Sequence, residues 1–85
     1  MKGINRKEFV NAITVLISNQ EYIFGAVSIG KNDDGHYLIC IREYFTQNIL
    51  FMDDRTFKSR SQALYEFGLM WDDALEQDMV VSDVN

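Results

Sequence analysis

The sequence predicts an α+β domain of order α-β-β-β-α: a three-stranded antiparallel meander with two helices packed on one face. Three observations point there. Apolar residues recur at helical spacing near both ends of the chain. They alternate with period two in the middle, and an Asp-Gly turn joins the first two alternating runs.

The first helix has a defined start. Asn5 is a good N-cap, Glu8 completes a capping box three residues later, and Ile4 and Phe9 stand at the positions of a hydrophobic staple. Phe9, Ile13, Leu16 and Ile17 form one face, widened by Val10 and Ala12, and Ser18-Asn19-Gln20 closes the helix. The first strand is expected from Tyr22 to Ile29, with Ile23, Val27 and Ile29 on one face. Lys31-Asn32-Asp33-Asp34-Gly35 makes a hairpin turn, because Asp-Gly supplies the positive φ that tight turns require. The second strand runs from Tyr37 to Phe45, and Thr46-Gln47-Asn48 turns the chain again. The third starts at Ile49–Met52 and is expected to reach Phe57 with an irregularity at Asp53-Asp54.

Ser59-Arg60-Ser61-Gln62 opens the second helix as a capping box. Leu64, Phe67, Trp71, Ala74 and Leu75 repeat at helical spacing and form its expected core stripe. Gly68 lies on that stripe and is expected to let the helix approach the sheet. Residues 79–85 are expected to fray.

The 85 residues fit a single domain over 1–85, too small for more than a thin core. One cysteine allows no internal disulfide, and no Cys/His cluster marks a zinc site. A lone thiol and the lack of a signal-type leader predict a cytoplasmic protein, and no apolar run approaches the ~20 residues of a membrane span.

Net charge is −5, which opposes direct nucleic-acid binding. Its distribution is uneven. Residues 1–60 hold eight Lys/Arg and seven Asp/Glu, whereas residues 61–85 hold no cation and six acids, Glu66, Asp72, Asp73, Glu76, Asp78 and Asp83. On the second helix, Glu66, Asp72, Asp73 and Glu76 fall on the arc opposite the apolar stripe, with Tyr65 and Leu69 among them. Carboxylates interleaved with an aromatic and a leucine suit a basic, partly apolar protein surface. The plainer reading is a solvated face, although such faces usually mix signs to gain i,i+4 pairs.

Other chemistry is weakly signalled. Asp33-Asp34 and Asp53-Asp54 lack calcium-loop spacing and read as a turn and a bulge. His36 has no nucleophile or acid placed beside it by a motif, and Cys40 reads as a buried thiol. Gly25, Gly30 and Gly35 do not open a helix as a phosphate cradle would. Lys2, Arg6 and Lys7, and Lys58 and Arg60, form small basic patches whose simplest use is pairing with the chain's own acids. No catalytic residue, metal ligand or cofactor is expected. Strand aromatics, Tyr22, Phe24, Tyr37, Tyr44, Phe45, Phe51 and Phe57, are too many for one sheet face, so some are expected on the open face.

A short acidic α-β-β-β-α chain with the turn Asn32-Asp33-Asp34-Gly35 resembles some phage-encoded inhibitors of the anti-CRISPR and anti-restriction type. The resemblance lies in element order and charge. It implies a non-enzymatic inhibitor that lays acidic side chains in a nuclease's DNA-binding cleft. The competing expectation is a small assembly protein whose exposed strand aromatics make a homo-oligomer.

Overall fold

A computed structural model of the chain describes residues 3–18 and 24–84, with side chains in the last helix described through residue 78. The elements are α1 (Arg6–Ser18), β1 (Gly25–Lys31), β2 (Tyr37–Glu43), β3 (Ile49–Met52) and α2 (Arg60–Val84). The strands form one antiparallel sheet in the order β1-β2-β3. The expected architecture is therefore the observed one. The expected start of the first strand at Tyr22 and Ile23 lies outside the described residues.

Local chemistry sets the boundaries. Asn5 Oδ1 accepts the Glu8 backbone N–H at 2.8 Å, and Glu8 Oε1 accepts that of Asn5 at 3.4 Å, so the capping box closes from both sides. At α2, Ser59 Oγ accepts the Gln62 N–H at 3.2 Å, and Gln62 Oε1 reaches back to the N–H of Lys58 rather than Ser59. Asn32 organises the first hairpin. Its side-chain oxygen accepts the N–H groups of Asp34 and His36, and its carbonyl accepts that of Gly35, which sits at φ +82°. Gln47 holds φ +65° in the second hairpin, a left-handed position that a non-glycine residue occupies at a small cost.

The third strand is shorter than the sequence suggested. It ends at Met52, where the chain turns inward instead of continuing flat. Asp53 bridges to Ile4, which accepts the Asp54 N–H and donates to the Met52 carbonyl, both at 2.8 Å. Phe57 rejoins the ladder by exchanging two backbone hydrogen bonds with Tyr37. Gly3 is required at this crossing: a Cβ there would stand 2.6 Å from the Asp54 Cα.

The core lies between the sheet and the helices. Phe9, Val10, Ala12 and Ile13 of α1 meet Ile39 and Ile41 of β2 and Ala63, Met70 and Ala74 of α2. Val27 and Ile29 stand opposite Ile41 and Ile39 across the β1–β2 ladder and extend the same face. Cys40 is buried on the alternate face, and burial pushes its thiol pKa up, which keeps it protonated and unreactive.

Two expectations about α2 are corrected. Of the expected stripe, Ala74 is buried and Phe67 half-buried, whereas Leu64, Trp71 and Leu75 are exposed, and Ala63 and Met70 take the remaining buried positions. The inward direction is thus rotated by roughly 65° from the centre of the expected stripe, less than one residue. The helix carries large apolar residues on several sides, so periodicity alone does not select a face. Two small alanines let α2 settle close, and the arginines described below draw Glu66 inward. Gly68, expected against the sheet, is exposed, and nothing lies within 4 Å of a Cβ built on it. The helix is described as far as Val84.

Because Gly68 has neither a close neighbour nor a positive φ, Gly68→Ala is expected to stabilise the protein by about 1 kcal/mol through helix propensity. Urea unfolding checks this. An unchanged or lowered midpoint would restore a packing role for the glycine.

Candidate functional site

The six residues expected to bind a partner separate into two groups. Glu66 and Asp73 are held by cations of the chain itself. Arg6 Nε meets Glu66 Oε1 at 3.1 Å, and its Nη2 meets Asp73 Oδ2 at 2.7 Å. Arg55 Nη1 meets the same Glu66 oxygen at 2.8 Å. Pairing of the N-terminal basic patch with the chain's own acids is therefore realised at Arg6.

Arg55 connects this cluster to a buried acid. Asp53 is 0% exposed, and its carboxylate accepts Arg55 Nε at 3.1 Å, Nη2 at 2.7 Å and the Arg55 backbone N–H at 3.0 Å. The guanidinium also donates to Met70 Sδ at 3.4 Å and lies 5.4 Å from the Phe57 ring centroid. Hydrogen bonds to Asp53 hold the Arg55 pKa above its ordinary value. The hydrogen bond from Arg55 is the main cause that holds the Glu66 carboxyl below its ordinary range; burial opposes it, and the Arg6 hydrogen bond adds to the lowering. The sequence showed Asp53-Asp54 as a bulge. The buried role of Asp53 depends on Arg55 standing two residues on, where a fork-shaped cation can fold back onto the carboxylate.

The second group faces outward. Tyr65 is 70% exposed and Leu69 39%, and Asp72 and Glu76 are exposed beside them with no ion pair or hydrogen bond among the described residues. At 100° per residue Asp72, Tyr65, Glu76 and Leu69 occupy a single arc about 60° wide. It is a small acidic surface with an apolar centre. Beside it, Thr56, Phe57, Lys58, Ser61, Gln62, Tyr65 and Glu66 line an open cleft of about 640 Å³. No nucleophile is paired with a base there.

Aromatic residues missing from the core gather at one end of the sheet rather than on its open face. Phe24, Tyr44 and Phe45 are exposed, with ring centroids 6.4 Å apart for Phe24–Phe45 and 5.3 Å for Tyr44–Phe45. Tyr37, Phe51 and Phe57 pack against the core. The open face carries Ala26, Ser28 and Gly30 of β1, Leu38, Cys40 and Arg42 of β2 and Met52 of β3, with Arg42 donating to Ser28 Oγ and the Gln47 carbonyl.

Among the described residues no three His, Cys, Asp or Glu side chains form a metal cluster, and no helix is long and apolar enough to cross a membrane. No protein-family model matches the chain, and no curated protein or solved structure matches it.

Two outcomes follow from the ion network. Arg55→Met leaves the Asp53 carboxylate buried without a countercharge and is expected to destabilise the fold by about 3 kcal/mol in urea unfolding; a loss below about 1 kcal/mol would contradict the pairing. The depressed Glu66 pKa makes its contribution complete above the unfolded-state value of about 4.3, and lost as pH falls through the folded value. The stability advantage of wild type over Glu66→Gln is therefore expected at pH 7 and should shrink at pH 3. An advantage independent of pH would rule out the ion pairs as its source.

Proposed function

We propose that this chain is a non-enzymatic protein-binding module that presents the outer arc of α2 to a basic, partly apolar surface of another protein. The observation that carries the reading is the division of the acids. Glu66 and Asp73 are engaged internally, but Asp72 and Glu76 flank the exposed Tyr65 and Leu69 with no partner among the described residues. Two carboxylates around an aromatic and a leucine match interfaces in which an apolar centre supplies affinity and peripheral charge supplies orientation and encounter rate. Carboxylates can also occupy the place of phosphates opposite Lys and Arg. The partner class this favours is a nucleic-acid enzyme, the target that an inhibitor of the anti-CRISPR or anti-restriction type would have. Glu66 and Asp73 enter this reading as supports that hold the arc in place.

A second reading, self-assembly through aromatics, is favoured by Phe24, Tyr44 and Phe45, which cluster at the end of the sheet. Sedimentation of a Tyr44→Ser/Phe45→Ser variant tests it.

Asp72→Lys/Glu76→Lys is expected to keep the native circular dichroism spectrum and to abolish capture of a basic protein from nuclease-treated lysate of the native host. Tyr65→Ala is expected to weaken that capture at least tenfold. Retention of the same protein by the double variant would refute the arc as the docking surface.

A further inference from the structure

The outer edge of β1 is the other surface without a partner. Backbone hydrogen bonds link Asn32 to His36 and Phe24 to Tyr44 across the first hairpin. Antiparallel ladders alternate, so the even residues Phe24, Ala26, Ser28, Gly30 and Asn32 direct their backbone groups toward β2. Gly25, Val27, Ile29 and Lys31 therefore point theirs away from the sheet. Among the described residues no strand pairs with that side. The opposite edge is different, since Ile4 covers the end of β3.

Edge strands are normally protected by charge, proline, a bulge or brevity. β1 is seven residues long, is paired in register throughout, and has no charged residue or proline before Lys31. Above it runs an unburied flank of α2. Leu64, Trp71 and Leu75 are each about two-fifths exposed, and Trp71 and Phe67 of α2 line an apolar groove of about 340 Å³ with Gly25 and Val27 of β1 and the end of α1 around Leu16. An unpaired strand edge and an unpaired apolar helix flank thus lie on the same side of the molecule.

We infer that β1 pairs antiparallel with β1 of a second copy, joining two sheets into one of six strands and bringing the two α2 flanks together. A two-fold axis at Ser28 matches every outward backbone group: Val27 faces the partner's Ile29, and Lys31 faces the partner's Gly25. On the helix-covered face, Val27 and Ile29 continue the apolar layer across the junction. On the open face, only Ala26, Ser28 and Gly30 meet, and they present no steric barrier. Charge is complementary as well. Lys31 aligns with the partner's side-chain-free Gly25 and, one strand further, with the partner's Glu43, since Gly25 and Glu43 are register partners on the same face. The symmetry supplies this pairing twice.

Both layers contribute to the contact area. Seven residues at about 3.3 Å give an edge of roughly 23 Å, and sheet plus helix stand roughly 20 Å high. The projected wall is about 450 Å² per partner, or ~900 Å² in total, which suits a weak, concentration-dependent dimer rather than the ~1,600 Å² of a standard interface.

Sedimentation of the whole chain at up to about 0.1 mM should give a dimer. Ser28→Lys places like charges side by side at the axis, and Leu75→Lys places them in the helix contact. Each variant should sediment as a monomer with an unchanged circular dichroism spectrum. In a Cys40→Ser background, Ser28→Cys should give a crosslinked dimer on mild oxidation, because residue 28 of one copy neighbours residue 28 of the other. A monomeric wild type would overturn the inference, and so would a dimer that survives both lysine variants or fails to crosslink at position 28. This outcome is separate from docking of the Tyr65–Glu76 arc, which Ser28→Lys on the strand edge does not alter.

Discussion

A single guanidinium holds the lower half of this fold together. Arg55 stands two residues after the last one to bridge Ile4, and its fork closes on the buried Asp53 carboxylate while its other amine reaches Glu66 on α2. The end of β3, the segment leading into α2 and α2 itself therefore share one charge centre. The arrangement is fully satisfied: among the described residues no buried side-chain polar atom lacks a hydrogen-bond partner. That completeness matters because a buried carboxylate is tolerated only while its partner is in place. A second cation, Arg6, binds the far side of Glu66 and adds Asp73, which attaches the start of α1 to the same cluster. Two helices distant in sequence are thus fixed around one glutamate by geometry more specific than apolar contact.

The network also explains the orientation of α2. A helix with leucines, a tryptophan, a tyrosine and a phenylalanine spread around its axis has several faces able to enter a core. Apolar burial alone, at about 25 cal/mol per Å², discriminates poorly among them. Salt bridges do discriminate, since they require Glu66 and Asp73 to face α1 and the β3 end. With those two acids fixed, Ala63, Met70 and Ala74 are carried inward, and Leu64, Trp71 and Leu75 are left on the outer flank.

This accounts for what the sequence made legible. The capping boxes, the Asn32–Gly35 turn and the alternation through Tyr37–Ile41 are local, and each carries its own signal within a few residues. The topology followed from them. The rotation of α2 was not legible, because it depends on contacts between residues 6 and 66 and between 55 and 66, and periodicity records no such pairing. Asp53 was hidden for a related reason: nothing in an Asp-Asp dipeptide says which carboxylate will be buried. The acidic arc was legible in composition but not in its division, because an acid's availability depends on where the arginines fold.

That division alters what the surplus charge can do. In the cluster, three carboxylates face two guanidiniums, so most of its field cancels at short range and little extends beyond a Debye length of about 8 Å. Asp72 and Glu76 have no such countercharge among the described residues, and they project from the side of α2 away from the sheet. Their field is therefore the one an approaching cationic surface meets first. Exposed carboxylates of this kind contribute more to orientation and encounter rate than to affinity. In the proposed docking, affinity comes from the apolar residues they surround, Tyr65 and Leu69, whose burial by a partner would convert a steering surface into a held one. The acids held by Arg6 and Arg55 act differently: they face α1 and the end of β3, on the side of α2 next to the core, while Tyr65 and Leu69 stay on its outer side.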